Sequence, residues 1–305
     1  MRPLRGIALK VTSMMFFIVM ASLIKAVADT VPPGQAVFFR SFFALPVILA
    51  WLLWQGELST GLRTANPLGH FWRGLIGTTA MGLGFAGLAF LPLPEVTAIG
   101  FAAPILTVVF AAMFLGEQVR AFRLTAVGLG MLGVMIVIWP RLSLDADMST
   151  GEALGAILVL MGAVFVALAQ VFLRKLVNTE TTPAIVFWFS VTASVLSLMT
   201  LPFGWVLPSA QQAAFLVLAG LLGGMGQVCL TASYREADVS VIAPFGYVQI
   251  LFSLAIGYWV FAEVPTLPML SGAALVIAAG VLIIWRERKL GLERARPSKA
   301  GTPQG

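Results

Sequence analysis

The chain has 305 residues, of which 59% are hydrophobic and only 10% charged, with a mean hydropathy of +0.97 and a net charge of +6. A soluble enzyme or a nucleic-acid-binding domain needs far more charged surface, so both are excluded. The single cysteine, Cys229, rules out an intrachain disulfide and reads as a packing residue in an apolar segment.

Ten apolar spans follow one another, at about residues 6–28, 35–54, 70–91, 95–116, 121–139, 152–173, 184–204, 212–234, 240–261 and 266–285. Each is about 20 residues long, the length of helix that crosses about 30 Å of hydrocarbon. Lipid offers no partner to backbone N–H and C=O groups, so the spans are predicted to be helical. The first is too long, and lacks the cleavage pattern, for a signal peptide. The connections are short, so function must sit within the bundle.

Charge sets the expected orientation. Arg63, Arg120, Arg123, Arg174, Lys175, Arg235 and both tails carry nearly all the basic residues on alternate connections. The opposite connections hold Arg141 alone, with Asp29, Glu95, Asp145, Asp147 and Glu263. The positive-inside rule then places both termini in the cytoplasm, with a bacterial inner membrane as the expected address. The basic tail reads as a topology anchor, and as a lipid-binding patch in a second reading.

The spans divide five and five. Glu117, Leu124 and Trp139 recur at a constant offset as Glu263, Leu270 and Trp285. With an odd number of spans per half, the second copy must enter the membrane from the other side. The expectation is an all-α integral membrane protein of ten helices. Residues 1–141 and 151–287 form two inverted five-helix repeats around a central cavity, and 288–305 a basic cytoplasmic tail. Inverted repeats are a recurring transporter plan, since two related halves can exchange conformations.

The motifs carry a resemblance. Lys25, the F-F-R-S-F-F around Arg40, A-A-P-I-L at 102–106, L-G-E at 115–117, A-P-F-G-Y at 243–247 and F-A-E at 261–263 together resemble the drug/metabolite transporter superfamily, in its ten-helix branch of paired EamA-type repeats. The resemblance implies a carrier whose cavity is lined by helices one to four and six to nine. It also implies solutes such as riboflavin, S-adenosylmethionine or amino acids.

Ionisable groups inside spans are costly and therefore informative. Lys25 and Arg40, which map onto a lysine and an arginine of that family, are candidates to hold a substrate carboxylate or phosphate. The competing reading has Lys25 binding helix-end carbonyls and Arg40 locking a helix contact. No Asp or Glu lies deep in a span, which disfavours a lipophilic-cation pump. The one histidine, His70, reads as interfacial at a helix start. Gly100 and Pro104 in the fourth span, and Pro244 and Gly246 in the ninth, are candidate hinges or kinks, since proline frees a carbonyl. Thr78, Thr79, Gln227, Thr231, Tyr247 and Gln249 are candidate cavity-lining residues, with interhelical hydrogen bonding as the alternative. Phe85, Phe101 and Phe245 could supply apolar walls.

Gly220-x-x-x-Gly224, Ala126-x-x-x-Gly130 and Ala274-x-x-x-Ala278 allow close helix approach, the last two within the bundle or in a homodimer. Trp54, Trp72, Trp139, Trp205, Trp259 and Trp285 near span ends form an aromatic belt. No cofactor, metal or nucleic acid is expected. A membrane enzyme would need a nucleophile with a base, or a metal cluster. A phosphate-binding loop for ATP is lacking. The sequence thus reads as a secondary transporter of a small polar or amphipathic metabolite, an amino acid or related carboxylate first, with riboflavin, S-adenosylmethionine or a nucleoside-like solute as the alternative.

Overall fold

The structure is a computed structural model and describes residues 3–115, 121–142, 150–177, 179–236 and 243–295. Glu117 of the repeat pattern and the last ten residues of the tail lie outside these. Among the described residues every regular element is helical. The helices are α1 (Pro3–Lys25), α2 (Pro33–Phe42), α3 (Ala44–Gln55), the short α4 (Leu58–Gly61), α5 (Pro67–Leu88), α6 (Leu93–Gly100) and α7 (Ala102–Leu115). There follow α8 (Ala121–Leu142), α9 (Thr150–Val177), α10 (Thr182–Leu198), α11 (Ala210–Glu236), a 3-10 turn (Ala243–Tyr247), α12 (Val248–Phe261) and α13 (Leu267–Ala295).

Starts and stops follow local chemistry. Pro33, Pro67 and Pro183 sit in the first turns of α2, α5 and α10, where the missing N–H costs nothing. The Asn66 side chain caps α5 by accepting from Gly69 N–H, and Thr181 caps α10 by accepting from Ala184 N–H. The seventh span ends at Leu198, six residues short of the sequence reading, because Thr200–Gly204 forms turns and Gly204 takes φ +90°. At the other extreme α13 runs on to Ala295, so the basic tail begins as helix.

Among the described residues the second and fourth spans are broken in mid-course, and the ninth is broken near its start by the 3-10 turn. Pro46 cannot donate to the carbonyl of Phe42, and the chain bends at Phe43 between α2 and α3. Pro104 likewise leaves the Gly100 carbonyl free, and helical bonding lapses at Phe101 between α6 and α7. Among the described residues four stretches are long and apolar enough to cross a membrane unaided: Leu4–Lys25, Pro33–Gln55, Gly151–Leu173 and Ala210–Leu230. The remaining spans contain shorter apolar helices, including Leu93–Thr107, Pro183–Leu198 and Phe245–Phe261.

The near face of the bundle, where α1 begins, carries Arg5 bonded to Glu236 and Trp188 Nε1 donating to the Leu62 carbonyl. The far face, where α1 ends, carries Gln35, which both donates to and accepts from the backbone of Val206. Contacts between the two halves come in exchanged pairs. The first span (α1) packs on the eighth (α11) as the third (α5) packs on the sixth (α9). The second (α2–α3) meets α11 as the seventh (α10) meets α5. The fifth and tenth spans, α8 and α13, pack on each other, with the carbonyls of Gly133 and Gly272 each 2.5–2.7 Å from where the other residue's Cβ would stand. The Gly220–Gly224 face lies against Phe43 and Val47, and Gly130 against Ile105, so these small residues serve the bundle itself. One apolar cluster gathers around α6–α9, α12 and α13, and another around α1, α2, α5 and α11.

Candidate functional site

Arg40 leaves α2 toward α10 and α11 and is only 7% exposed. Room for it comes from Gly223 of α11, where a Cβ would stand 3.3 Å from Arg40 Nε and 2.9 Å from Met20 Sδ. Its guanidinium carbon lies 5.9 Å from the centroid of the Phe189 ring on α10. A second guanidinium, that of Arg73 on α5, lies 4.2 Å from the same centroid. Gly77, one turn after Arg73, gives the ring its space: a Cβ there would stand 2.7 Å from Phe189 and 3.5 Å from Arg73 Nη1. Two cations from the first half thus flank one aromatic ring from the second.

Neither arginine pairs with an acid among the described residues. Arg40 Nε, Arg73 Nε and Arg73 Nη1 are buried and have no hydrogen-bond partner, and the Ser41 and Thr78 hydroxyls on the same two helices share that state. The two positive charges also repel each other. Contact with an aromatic face returns about 0.5–2 kcal/mol per cation. Burying an unpaired charge costs several kcal/mol even after relaxation. The ring is therefore too weak to balance the pair. The chemistry that would balance it is an anion with two or more acceptor oxygens, which suits the planar donor fork of arginine.

Lys25 is placed differently. Its ammonium lies 3.0 Å from Glu263 Oε1, donates to the Leu91 carbonyl at 2.7 Å and to the Leu88 carbonyl at 3.2 Å. These contacts use all three donors of an ammonium. Glu263 Oε2 accepts in turn from Leu93 N–H at 2.9 Å, at the start of α6. The Phe261 ring lies beneath, 5.6 Å from Nζ. This far-face knot joins the ends of α1 and α12 to the α5–α6 turn, and so links the two halves. Ala262 turns the chain into it with φ +54°, the one left-handed non-glycine residue among those described.

The near face holds a second glutamate knot. Glu180 Oε1, in the turn before α10, accepts from the Thr64 hydroxyl and from Ala65 and Asn66 N–H, while Oε2 lies 3.6 Å from His70 Nε2. Burial pushes the Glu180 carboxyl up, but the hydrogen bonds from Thr64, Asn66 and Ala65, with His70 beside it, outweigh this and hold it below the usual range. His70 is 3% exposed in the first turn of α5, where the turn carrying Glu180 covers it.

The other sequence candidates divide. Thr78 is turned inward with its hydroxyl unpartnered, whereas Thr79 is exposed and returns its hydroxyl to the Leu75 carbonyl. Gln227, Tyr247 and Gln249 are half-buried. The Tyr247 ring lies 5.0 Å from that of Phe101, so the broken fourth and ninth spans touch at their irregular points. Gly100 faces open space, Pro104 is exposed, and Gly246 lies beside the Lys10 side chain. Pro244 falls in the 3-10 turn; its side chain and that of Thr231 lie outside the described residues. Arg73 and the buried Lys10 are absent from the sequence reading. Both stand a few residues inside a predicted span, and that position was the available signal.

Among the described residues the bundle is all-helical and apolar, as in a multi-pass membrane protein, with cations buried where its halves meet. The EamA-like transporter family model matches residues 4–139 and again 153–285, and the chain belongs to that family, within the drug/metabolite transporters. Among its relatives is an S-adenosylmethionine uptake transporter of Rickettsia felis, 27% identical over 84% of each chain. The pseudopaline exporter CntI of Pseudomonas aeruginosa is 29% identical over 92% of this chain and 93% of its own. A riboflavin transporter of Rhizobium johnstonii is 27% identical over 85% and 83%. A crystal structure with a TM-score of 0.65 and 18% identity, covering 93% of this chain and 98% of its own, shares the fold.

Proposed function

We propose that this protein is a secondary carrier for a small polar metabolite bearing a carboxylate, working by alternating access of two inverted halves in a bacterial inner membrane, with both termini cytoplasmic. The observation that carries the reading is Arg40, buried and without an acid partner among the described residues, at the junction of helices from both halves. The exchanged contact pairs support the inverted relation, because a two-fold swap of the halves maps one pair onto the other. The breaks at Phe101 and at Ala243–Tyr247 supply hinge points in related spans. Tyr247, Gln227, Gln249 and Thr78 are assigned to the rest of the solute, and Lys25 to closure of the far face.

An amino acid is the simplest solute of this class. S-adenosylmethionine combines an amino-acid carboxylate with a nucleoside and is the second reading, favoured by the Rickettsia relatives. The test is flux in proteoliposomes, with solutes chosen by thermal stabilisation of the purified protein against carboxylates and their neutral amides. Flux of an acid but not of its amide is the expected result. No flux of any solute that stabilises the protein would defeat the carrier reading.

A further inference from the structure

Arg73 has no assigned role, yet it shares the environment of Arg40. Three observations bear on what the two do together. Both guanidinium groups lie within 5.9 Å of one ring centroid, that of Phe189. Three of their buried nitrogens lack acceptors. Lys25 at the far face is saturated by Glu263 and two carbonyls and brings no free donor.

We propose that Arg40 and Arg73 form a two-armed carboxylate site with Phe189 as its floor, and that Arg73 rather than Lys25 is the second cation that selects the solute. The assignment rests on the carrier reading above and narrows it. One arm comes from the second span and one from the third, while the floor comes from the seventh. A carboxylate between the arms neutralises two like charges at once and supplies acceptors to donors that have none. Its binding draws α2, α5 and α10 together, so occupancy is linked to how the halves sit. A neutral amide of the same shape offers one oxygen and no charge, and leaves the repulsion in place. The glycines at 77 and 223 let the Phe189 ring and the Arg40 stem pack against the α5 and α11 backbones, where a Cβ would collide with them.

The test uses the purified full-length protein in detergent at fixed ionic strength, with succinate, succinamide and inorganic phosphate as probes. Succinate is expected to raise the unfolding temperature of the native protein by several degrees and succinamide to leave it unchanged. Arg40→Gln and Arg73→Gln should each abolish the succinate response. Lys25→Met should retain it, although its starting temperature is lower. Should a glutamine variant fail to fold, Arg40→Lys and Arg73→Lys keep the charge and lose the planar fork, and the response should shrink severalfold. Equal responses in native protein and Arg73→Gln, a response to succinamide matching that to succinate, or none in the native protein would overturn the site. Stabilisation by phosphate above that by succinate would overturn its carboxylate preference. The carrier reading stands apart: it survives if Arg73→Gln transports its solute with unchanged KM, and the two-armed site does not.

Discussion

Replacing Lys25 by methionine removes the centre of the far-face knot. The substitution leaves Glu263 with one hydrogen bond, from Leu93 N–H, and leaves the carbonyls of Leu88 and Leu91 without their side-chain donor. Breaking a buried pair by removing one partner costs about 3–5 kcal/mol. Both side chains here retain 14% exposure, so water recovers part of that loss and about 2–3 kcal/mol is expected. Glu263→Gln keeps the shape and an acceptor oxygen, and should cost about 1–2 kcal/mol. The double variant, Lys25→Met with Glu263→Gln, removes the stranded carboxylate and should recover about 1 kcal/mol or more relative to the sum. The assay is denaturant-induced unfolding in detergent micelles, read as a double-mutant cycle. Single losses under about 0.5 kcal/mol, or strict additivity, would refute the view that the ion pair holds the far face.

Other changes test neighbouring features. Ala262→Gly removes the Cβ from a left-handed residue and should stabilise by about 1 kcal/mol in the same unfolding assay. Gly257→Ala places a Cβ about 3 Å from Pro94 and Glu263 and should lower stability and weaken the coupling of Glu263 to Lys25. Gly272→Val drives a branched side chain into the Gly133 carbonyl and should separate α8 from α13, read as loss of a cross-link between cysteines placed on them. Because the folded Glu180 carboxyl is held low, its contribution to stability is present above the ordinary carboxylate range and is lost as pH falls through the folded value. An acid titration of the unfolding midpoint should therefore flatten in Glu180→Gln.

The spans were legible because a continuous apolar run announces a membrane helix without any tertiary information. Mid-span breaks were legible only where proline marks them, and even there the register needed backbone geometry: Pro104 ends helical bonding at Phe101, three residues earlier. The break at Phe43 follows from Pro46 by the same rule. Arg40 stood out because no other cation lies near it in its span. Arg73 follows His70 by three residues at a helix start, where cations usually reach water, and only the packing of α10 onto α5 reveals that it points inward. The partner of Lys25 was hidden for a different reason. Glu263 stands 238 positions later in the chain, and periodicity within a helix carries no information about which distant ends meet.

The two glutamate knots have a kinetic consequence. Glu263 and Glu180 both belong to the second half, and each grips the start of a first-half helix, α6 at one face and α5 at the other. Both grips are closed in the same conformation, so the bundle is stapled at top and bottom together. A bond that stabilises a resting shape deepens the well from which every excursion begins, so its breaking adds to the activation energy of leaving that shape. Loosening one staple alone should favour excursions at that end only. On the proposed carrier reading, the direction of opening is then set by which acid lets go first, a bias written in turnover rates as well as in apparent affinity.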